Sequence, residues 1–176
     1  MLISLTFSFR YLQGNDISDV GIDSHLDELP MLEVLFLHNN PITNLTVDAF
    51  ENVTNMEMLL LHYTSIWELP NGLFDSNPKL EYLWFSYSNI HVLGTTVFSS
   101  LTNLRELMLD SNSIPDLHVG MFKNLQKLKT LNFKNNGIPE PTCCKMCGVP
   151  ASTHIDFNAR PLADTHLECG KFVTVQ

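Results

Sequence analysis

The sequence predicts an α/β repeat solenoid, a horseshoe whose short parallel strands line the concave side. Three observations predict it. Apolar residues recur every 24 positions in three columns, led by Leu32, Met56, Leu80, Leu104 and Leu128. The second column is Leu35, Leu59, Leu83, Leu107 and Leu131, and the third is Leu37, Leu61, Phe85, Leu109 and Phe133. An isoleucine column (Ile42, Ile66, Ile90, Ile114, Ile138) and a phenylalanine column (Phe50, Phe74, Phe98, Phe122) keep the same step. Finally, a polar residue stands eight positions after each leading residue, at Asn40, Thr64, Ser88, Asn112 and Asn136. A unit this short cannot bury its apolar face alone, so units stack and share one continuous core.

Taken in order, residues 1–31 are the least regular. Phe7, Leu12, Asn15 and Ile17 fit the repeat skeleton, but Arg10 occupies a core leucine position, and one residue is inserted around Gly21 to His25. The apolar run Met1, Leu2, Ile3, Leu5 and Phe7 reads as an improvised lid over the first core layer, with Arg10 suited to a solvent-facing first coil. The alternative is an open strand edge able to pair with another chain. No basic n-region precedes this run, so the chain reads as a mature fragment.

Residues 32–138 hold the regular repeats. Within each LxxLxLxx segment the leucines point inward and the intervening residues point to the other face, because strand side chains alternate. The amide or hydroxyl in the polar column is expected to bond the backbone of a neighbouring coil, forming a buried ladder. Thr64 and Ser88 offer fewer bonds than asparagine, so the middle coils should be less firmly pinned. The phenylalanine column is expected to pack behind the sheet. Asn77, beside Pro78 and in a column otherwise holding Val53, Leu101 and Leu125, predicts a local distortion.

The repeat is expected to stop at Pro139-Glu140-Pro141, and residues 139–176 to form a cysteine cap. All four cysteines, Cys143, Cys144, Cys147 and Cys169, fall there. An even count confined to one terminal segment points to disulfides and an oxidising compartment. A zinc site is the rival, but Cys144-x-x-Cys147 lacks the second such pair that zinc ribbons show. Adjacent Cys143–Cys144 pairing is strained, which leaves two connectivities open. Asn44-Leu-Thr46 and Asn52-Val-Thr54 are N-glycosylation acceptors, both placed off the concave face.

Charge limits the partners. Residues 1–122 carry 15 acidic and 3 basic side chains, a net −12, whereas residues 123–176 carry a net +3. A field of that sign over the repeats argues against nucleic acid, whose phosphates require Lys and Arg. Cationic partners, or neutral glycans and proteins, suit it. No run reaches the 18 apolar residues of a membrane span.

The concave face supplies the candidate binding residues. Its central row, Tyr11, Phe36, Leu60, Trp84 and Met108, has no structural need to be apolar, and strands about 4.8 Å apart would join it into one stripe. Such a patch rimmed by charge marks a binding site more often than not. Glu33, Glu57 and Glu81 stack in one row and repel one another unless a cation sits over them. Tyr82, Glu106 and Asp110 extend the surface. His38 and His62 should be strand neighbours; they read as solvated side chains in preference to a metal pair. No nucleophile–base order, phosphate loop or HExxH segment is present, so neither catalysis nor a cofactor is expected.

The 24-residue unit with its leucine, isoleucine and phenylalanine columns resembles the extracellular class of leucine-rich repeats over nearly the whole chain. A small number of coils with a compact cysteine cap resembles most the variable lymphocyte receptors of jawless vertebrates. The cap here opens CCKMC, where those receptors have C-x-C, and no N-terminal cysteine cap precedes the repeats. In those receptors the concave strands and the cap bind antigen, including microbial glycans and proteins. The resemblance implies an extracellular immune-type receptor whose antigen contacts are Tyr11, Phe36, Glu57, Leu60, Glu81, Tyr82, Trp84, Glu106, Met108 and Asp110. An adhesive protein or homodimer, and a fragment of a hormone-receptor-like ectodomain, are the other expectations.

Overall fold

In each repeat the alternation of the LxxLxLxx segment forms a three-residue strand with its middle leucine turned inward. The computed structural model describes residues 8–21, 26–138 and 143–157, with the backbone alone for Asp27, Cys143 and Cys144. Leu35, Leu59, Leu83, Leu107 and Leu131 are each fully buried, while the residues on either side of them in the strand, Leu60 excepted, are at least partly exposed. A fully buried leucine contributes about 2 kcal/mol over an exposed one, so this single column is a large part of the core.

The strands β1 (Phe9–Tyr11), β3 (Val34–Phe36), β5 (Met58–Leu60), β7 (Tyr82–Trp84), β9 (Glu106–Met108), β10 (Thr130–Asn132) and β11 (His154–Asp156) form one seven-stranded sheet in that order. Every neighbouring pair is parallel and in repeat register, for example Leu59↔Leu83↔Leu107. Two short flanking sheets, β2 (Asp19–Val20) with β4 (Asn44–Leu45) and β6 (Glu68–Leu69) with β8 (Val92–Leu93), lie along the next segment of each coil. The convex side is built of turns, and the helical segments among the described residues are two 3-10 turns, Leu26–Glu28 and Cys143–Met146. The phenylalanine column packs there as expected: all four rings are fully buried, with Phe50 stacked on Phe74 at 5.9 Å and Phe98 on Phe122 at 6.3 Å.

The polar ladder is present and uneven. Asn40 Oδ1 accepts from the Asn15 and Ile17 amides while its Nδ2 donates to the Leu12 and Leu37 carbonyls. Asn112 likewise accepts from Ile90 and donates to Phe85 and Leu109. Asn136 joins Ile114, Leu109 and Phe133 in the same way. Thr64 Oγ1 instead donates to Leu61 O at 3.0 Å, Ser88 Oγ shares its single proton between Thr64 Oγ1 at 2.9 Å and Leu61 O at 3.3 Å, and neither takes a backbone N–H.

Two expectations are corrected. Asn77 causes no distortion: its amide N bonds Phe74 O as Val53, Leu101 and Leu125 bond the phenylalanine before them. Its buried side chain reaches back one coil, donating to Phe50 O at 3.0 Å and Val53 O at 3.1 Å. Nor does the repeat end at the prolines. Ile155 and Phe157 stand 24 residues after Leu131 and Phe133; Ile155 pairs with Leu131 in β11, and Phe157 stacks on Phe133 at 5.7 Å. Thr153 Oγ1 donates to Leu128 O and secures this last coil. At the other end Arg10 faces solvent opposite Leu35, as its charge requires. The expected lid over 1–7 and the insertion at 22–25 lie outside the described residues. So does the pairing of Cys143, Cys144, Cys147 and Cys169, since Cys169 and the Cys143 and Cys144 side chains are not described.

Candidate functional site

Because side chains alternate, each strand presents to the concave side the residues that its core leucine does not use. The register puts Tyr11, Phe36, Leu60, Trp84 and Met108 into one row, continued by Asn132 and Asp156. Tyr11 is 64% exposed and stacks flat on Phe36 at 5.0 Å. Trp84 and Met108 are partly exposed. Leu60 is not an open contact: it is only 7% exposed, an aliphatic side chain between the larger Phe36 and Trp84, and it forms the floor of the stripe.

The aromatic surface is wider than that row. Phe36 meets His38 edge-on at 6.0 Å, His38 stacks on His62 at 4.3 Å, and His62 lies 6.3 Å from Trp84. His62 also meets Tyr63 at 5.4 Å, and Tyr63 stacks on Tyr87 at 4.9 Å. Seven rings are thus linked across the first four coils. Burial lowers the His38 pKa; burial, with repulsion from His38, lowers that of His62. The imidazoles are therefore neutral around pH 7 and belong to the apolar surface. Among the described residues no group of three His, Cys, Asp or Glu is placed to hold a metal ion.

Tyr63 and Tyr87 occupy the position in each coil where the chain turns down from the sheet with a left-handed backbone. Gly14, Asn39, Ser111 and Asn135 occupy it in the other coils, with φ between 56° and 66°. Glycine and asparagine suit that conformation; a tyrosine there costs on the order of 1 kcal/mol. Both tyrosines are nonetheless about half exposed, at 51% each. The sequence pattern places them beside the histidine row without marking them as site residues. The Gly, Asn and Ser elsewhere in their column are the signal that identifies a left-handed position and makes two tyrosines there conspicuous.

The acidic strip is sorted by its partners. Glu81 does not await an external cation, because Arg105 Nε sits 2.8 Å from its carboxylate, an ion pair without a directed hydrogen bond. Asp156 is paired with Lys134 at 2.9 Å, which holds its carboxyl below the ordinary range, with His154 adding to the effect. Glu57 and Glu106 make no ion pair within 4.0 Å among the described residues. Asp110 accepts from Ser86 Oγ at 2.5 Å and lies 3.5 Å from Ser111 Oγ, two neutral hydroxyls that orient the carboxylate without cancelling its charge. Tyr82 is partly exposed in the row beside Glu106.

Five enclosed side-chain polar atoms among the described residues lack a hydrogen-bond partner, and three of them, His38 Nδ1, Trp84 Nε1 and Arg105 Nε, belong to this face. Arg105 Nε is answered by the Glu81 carboxylate at 2.8 Å, whereas His38 Nδ1 and Trp84 Nε1 each cost about 1–3 kcal/mol, a cost that folding alone gives no reason to place on this face. Asn44, in β4, and Asn52, in the turn after Phe50, are exposed on the flank and the convex side, away from the sheet. No helix among the described residues is long and apolar enough to cross a membrane.

A family model described as leucine rich repeat matches residues 54–114 and 102–140, and a second leucine-rich-repeat model matches 31–53. No curated protein matches the chain in sequence. Among solved structures, the leucine-rich repeat domain of APL1B aligns at a TM-score of 0.67 with 26% identity, over 74% of this chain and 37% of that one. A chain of the octameric complex of Latrophilin 3 (Lec, Olf), Unc5D (Ig, Ig2, TSP1) and FLRT2 (LRR) aligns at 0.70 with 26% identity, over 84% of this chain and 44% of that one. The chain spans less than half the length of either structure.

Proposed function

Because the chain belongs to the leucine-rich repeat family, we propose that it is an extracellular recognition protein that binds a partner on microbial surfaces through its concave face, without chemistry. The observation that carries this reading is the seven-ring aromatic surface running from Tyr11 to Trp84 and Tyr87. Aromatic side chains anchor interfaces because they bury much area at little entropic cost. Here they sit on the face that the core does not need. Phe36, Trp84 and Met108 are the central anchors over the Leu60 floor, Tyr11 and Tyr82 flank them, and Glu57, Glu106 and Asp110 select for positive charge. Glu81, held by Arg105, positions that arginine within the face.

The extracellular placement is supported by the two accessible acceptor asparagines, Asn44 and Asn52, and by neighbours solved as part of the Latrophilin 3, Unc5D and FLRT2 complex and as the leucine-rich repeat domain of APL1B. In this reading residues 32–138 carry recognition together with Tyr11 of the preceding coil, while the rest of residues 1–31 and residues 139–176 close the ends of the core. Disulfides among Cys143, Cys144, Cys147 and Cys169 lock the C-terminal closure. Capture of whole bacteria by immobilised protein tests the proposal, with Glu106→Gln/Asp110→Gln beside wild type. Capture that falls at least tenfold in the double variant supports it. If wild type captures no bacterium and light scattering finds a dimer that Trp84→Glu dissociates, the face serves self-association and the microbial reading is withdrawn.

A further inference from the structure

We propose that Tyr87, backed by Tyr63, and the carboxylate of Asp110 form a receptor for an arginine side chain carried by a protein partner. The site lies on the rim where the chain leaves the concave sheet, and the proposal rests on the concave-face reading above. Two observations meet here. The first is backbone: tyrosines are kept at two left-handed positions, φ 55° and 53°, that glycine, asparagine and serine fill in the other coils. They are half exposed, so core packing does not account for them. The outlier therefore points to use of the rings at the surface.

The second is charge. Asp110 lies one coil on from Tyr87, whose amide donates to the Asp110 carbonyl at 3.0 Å. Its carboxylate is oriented by Ser86 and Ser111, yet no cation offsets it among the described residues; Lys134, its neighbour in the row, is engaged with Asp156. Tyr63 covers one face of the Tyr87 ring at 4.9 Å. Toward the next coil the column holds Ser111, which has no ring to continue the stack, and Tyr87 is 51% exposed. A third ring in this stack would lie directly beside Asp110.

A guanidinium fits that place on each count. It is planar and stacks on an aromatic face, its fork matches a carboxylate, and it sheds water more readily than an ammonium. Each Asp110 oxygen retains a lone pair after the serine contacts, so a two-pronged bond remains open to it. A neutral sugar would stack on the ring but leave Asp110 unanswered. A lysine would answer the charge but not the plane. The occupant is accordingly an arginine, presented by a polypeptide loop.

The test is calorimetric titration with three probes: a capped Gly-Arg-Gly-Arg-Gly peptide, the same peptide with lysines, and a chitin oligosaccharide. The arginine peptide is expected to bind at least fivefold more tightly than the lysine peptide, with the sugar weaker than both. Asp110→Asn and the pair Tyr63→Asn/Tyr87→Asn should each weaken arginine binding at least tenfold, while Glu51→Gln on the convex side leaves it unchanged. The tyrosine pair should melt no lower than wild type, because asparagine is the residue the fold uses at that position in other coils. A fall in melting temperature with unchanged binding makes the tyrosines structural and overturns the proposal. So does equal binding of the arginine and lysine peptides. Bacterial capture separates the two readings. Capture that continues while the arginine peptide fails to bind removes this site alone. Arginine-selective binding through Tyr87 and Asp110 without any capture upholds the site and removes the microbial reading.

Discussion

The coils around β5 and β7 differ from those on either side of them in two adjacent positions. Flanking coils carry Asn40, Asn112 and Asn136 in the ladder, each joined to four or five backbone groups, preceded by Asn39, Ser111 and Asn135 in the left-handed position. The middle coils carry Thr64 and Ser88, preceded by Tyr63 and Tyr87. Both departures weaken the scaffold, and both occur where His62 and Trp84 widen the aromatic surface. The lesson is that these coils hold residues selected by what they present. Asn77, extending from the same stretch to Phe50 O and Val53 O, restores on the convex side part of the coil-to-coil bonding lost at Thr64 and Ser88.

That contrast can be broken from the strong side first. Asn112→Ala should destabilise by about 3 kcal/mol, because it leaves the Ile90 amide and the Phe85 carbonyl buried and unpaired and removes one of the two donors to Leu109 O. Thr64→Val should lose only about 1 kcal/mol on the same ground. Urea unfolding of the two variants measures the difference, and equal losses would dismiss the ladder contrast. Asn77→Leu restores the apolar pattern of its column yet should destabilise by about 1 kcal/mol, because it removes two coil-to-coil hydrogen bonds although Phe50 O and Val53 O keep their backbone partners, Val53 N and Met56 N. A gain in stability there would mean that Asn77 compensates for nothing.

The weak side can be repaired. Thr64→Asn/Ser88→Asn should stabilise by about 1–2 kcal/mol by recreating the amide ladder, read as a rise in the urea midpoint. The smallest effect is that of pH. His38 and His62 hold lowered pKa values in the folded state, so below the unfolded value of 6.5 the unfolded chain takes up protons that the folded one refuses. Their contribution is present in full above pH 6.5 and is lost as pH falls through their folded values. Stability should therefore decline on acidification from 6.5, and His38→Gln/His62→Gln should flatten that part of the profile. An unchanged slope would show that the stacked imidazoles titrate normally.

The columns of the repeat made much of this legible. Leucine alternation specifies the strands, the asparagines specify the ladder, and the 24-residue step assigns each concave residue to its row. What escaped depends on spacing between side chains or on backbone sign, which a period does not encode. Leu60 belongs to the right row, but its burial follows from the bulk of Phe36 and Trp84 beside it. Glu81 looked like an unneutralised charge because Arg105 belongs to the same column one coil later, and a column shows residue type without showing contact. Ile155 and Phe157 kept the 24-residue step, but the Pro139–Pro141 interruption and the missing ladder asparagine hid it. Asn77 looked like damage because the carbonyls it serves lie one coil back in space.

The central claim is that the middle coils present a binding face at the expense of scaffold strength. Trp84→Ser tests it most directly, since Trp84 lies at the centre of that face with its indole N–H unpartnered. The measurement is bacterial capture by wild type and variant, with thermal melting of both proteins recorded alongside. The account predicts at least tenfold weaker capture with a melting temperature within about 3 °C of wild type, as expected for a change of under 1 kcal/mol in a domain of this size. Unchanged capture, or a melting temperature that collapses with it, would contradict the claim and return Trp84 to the scaffold.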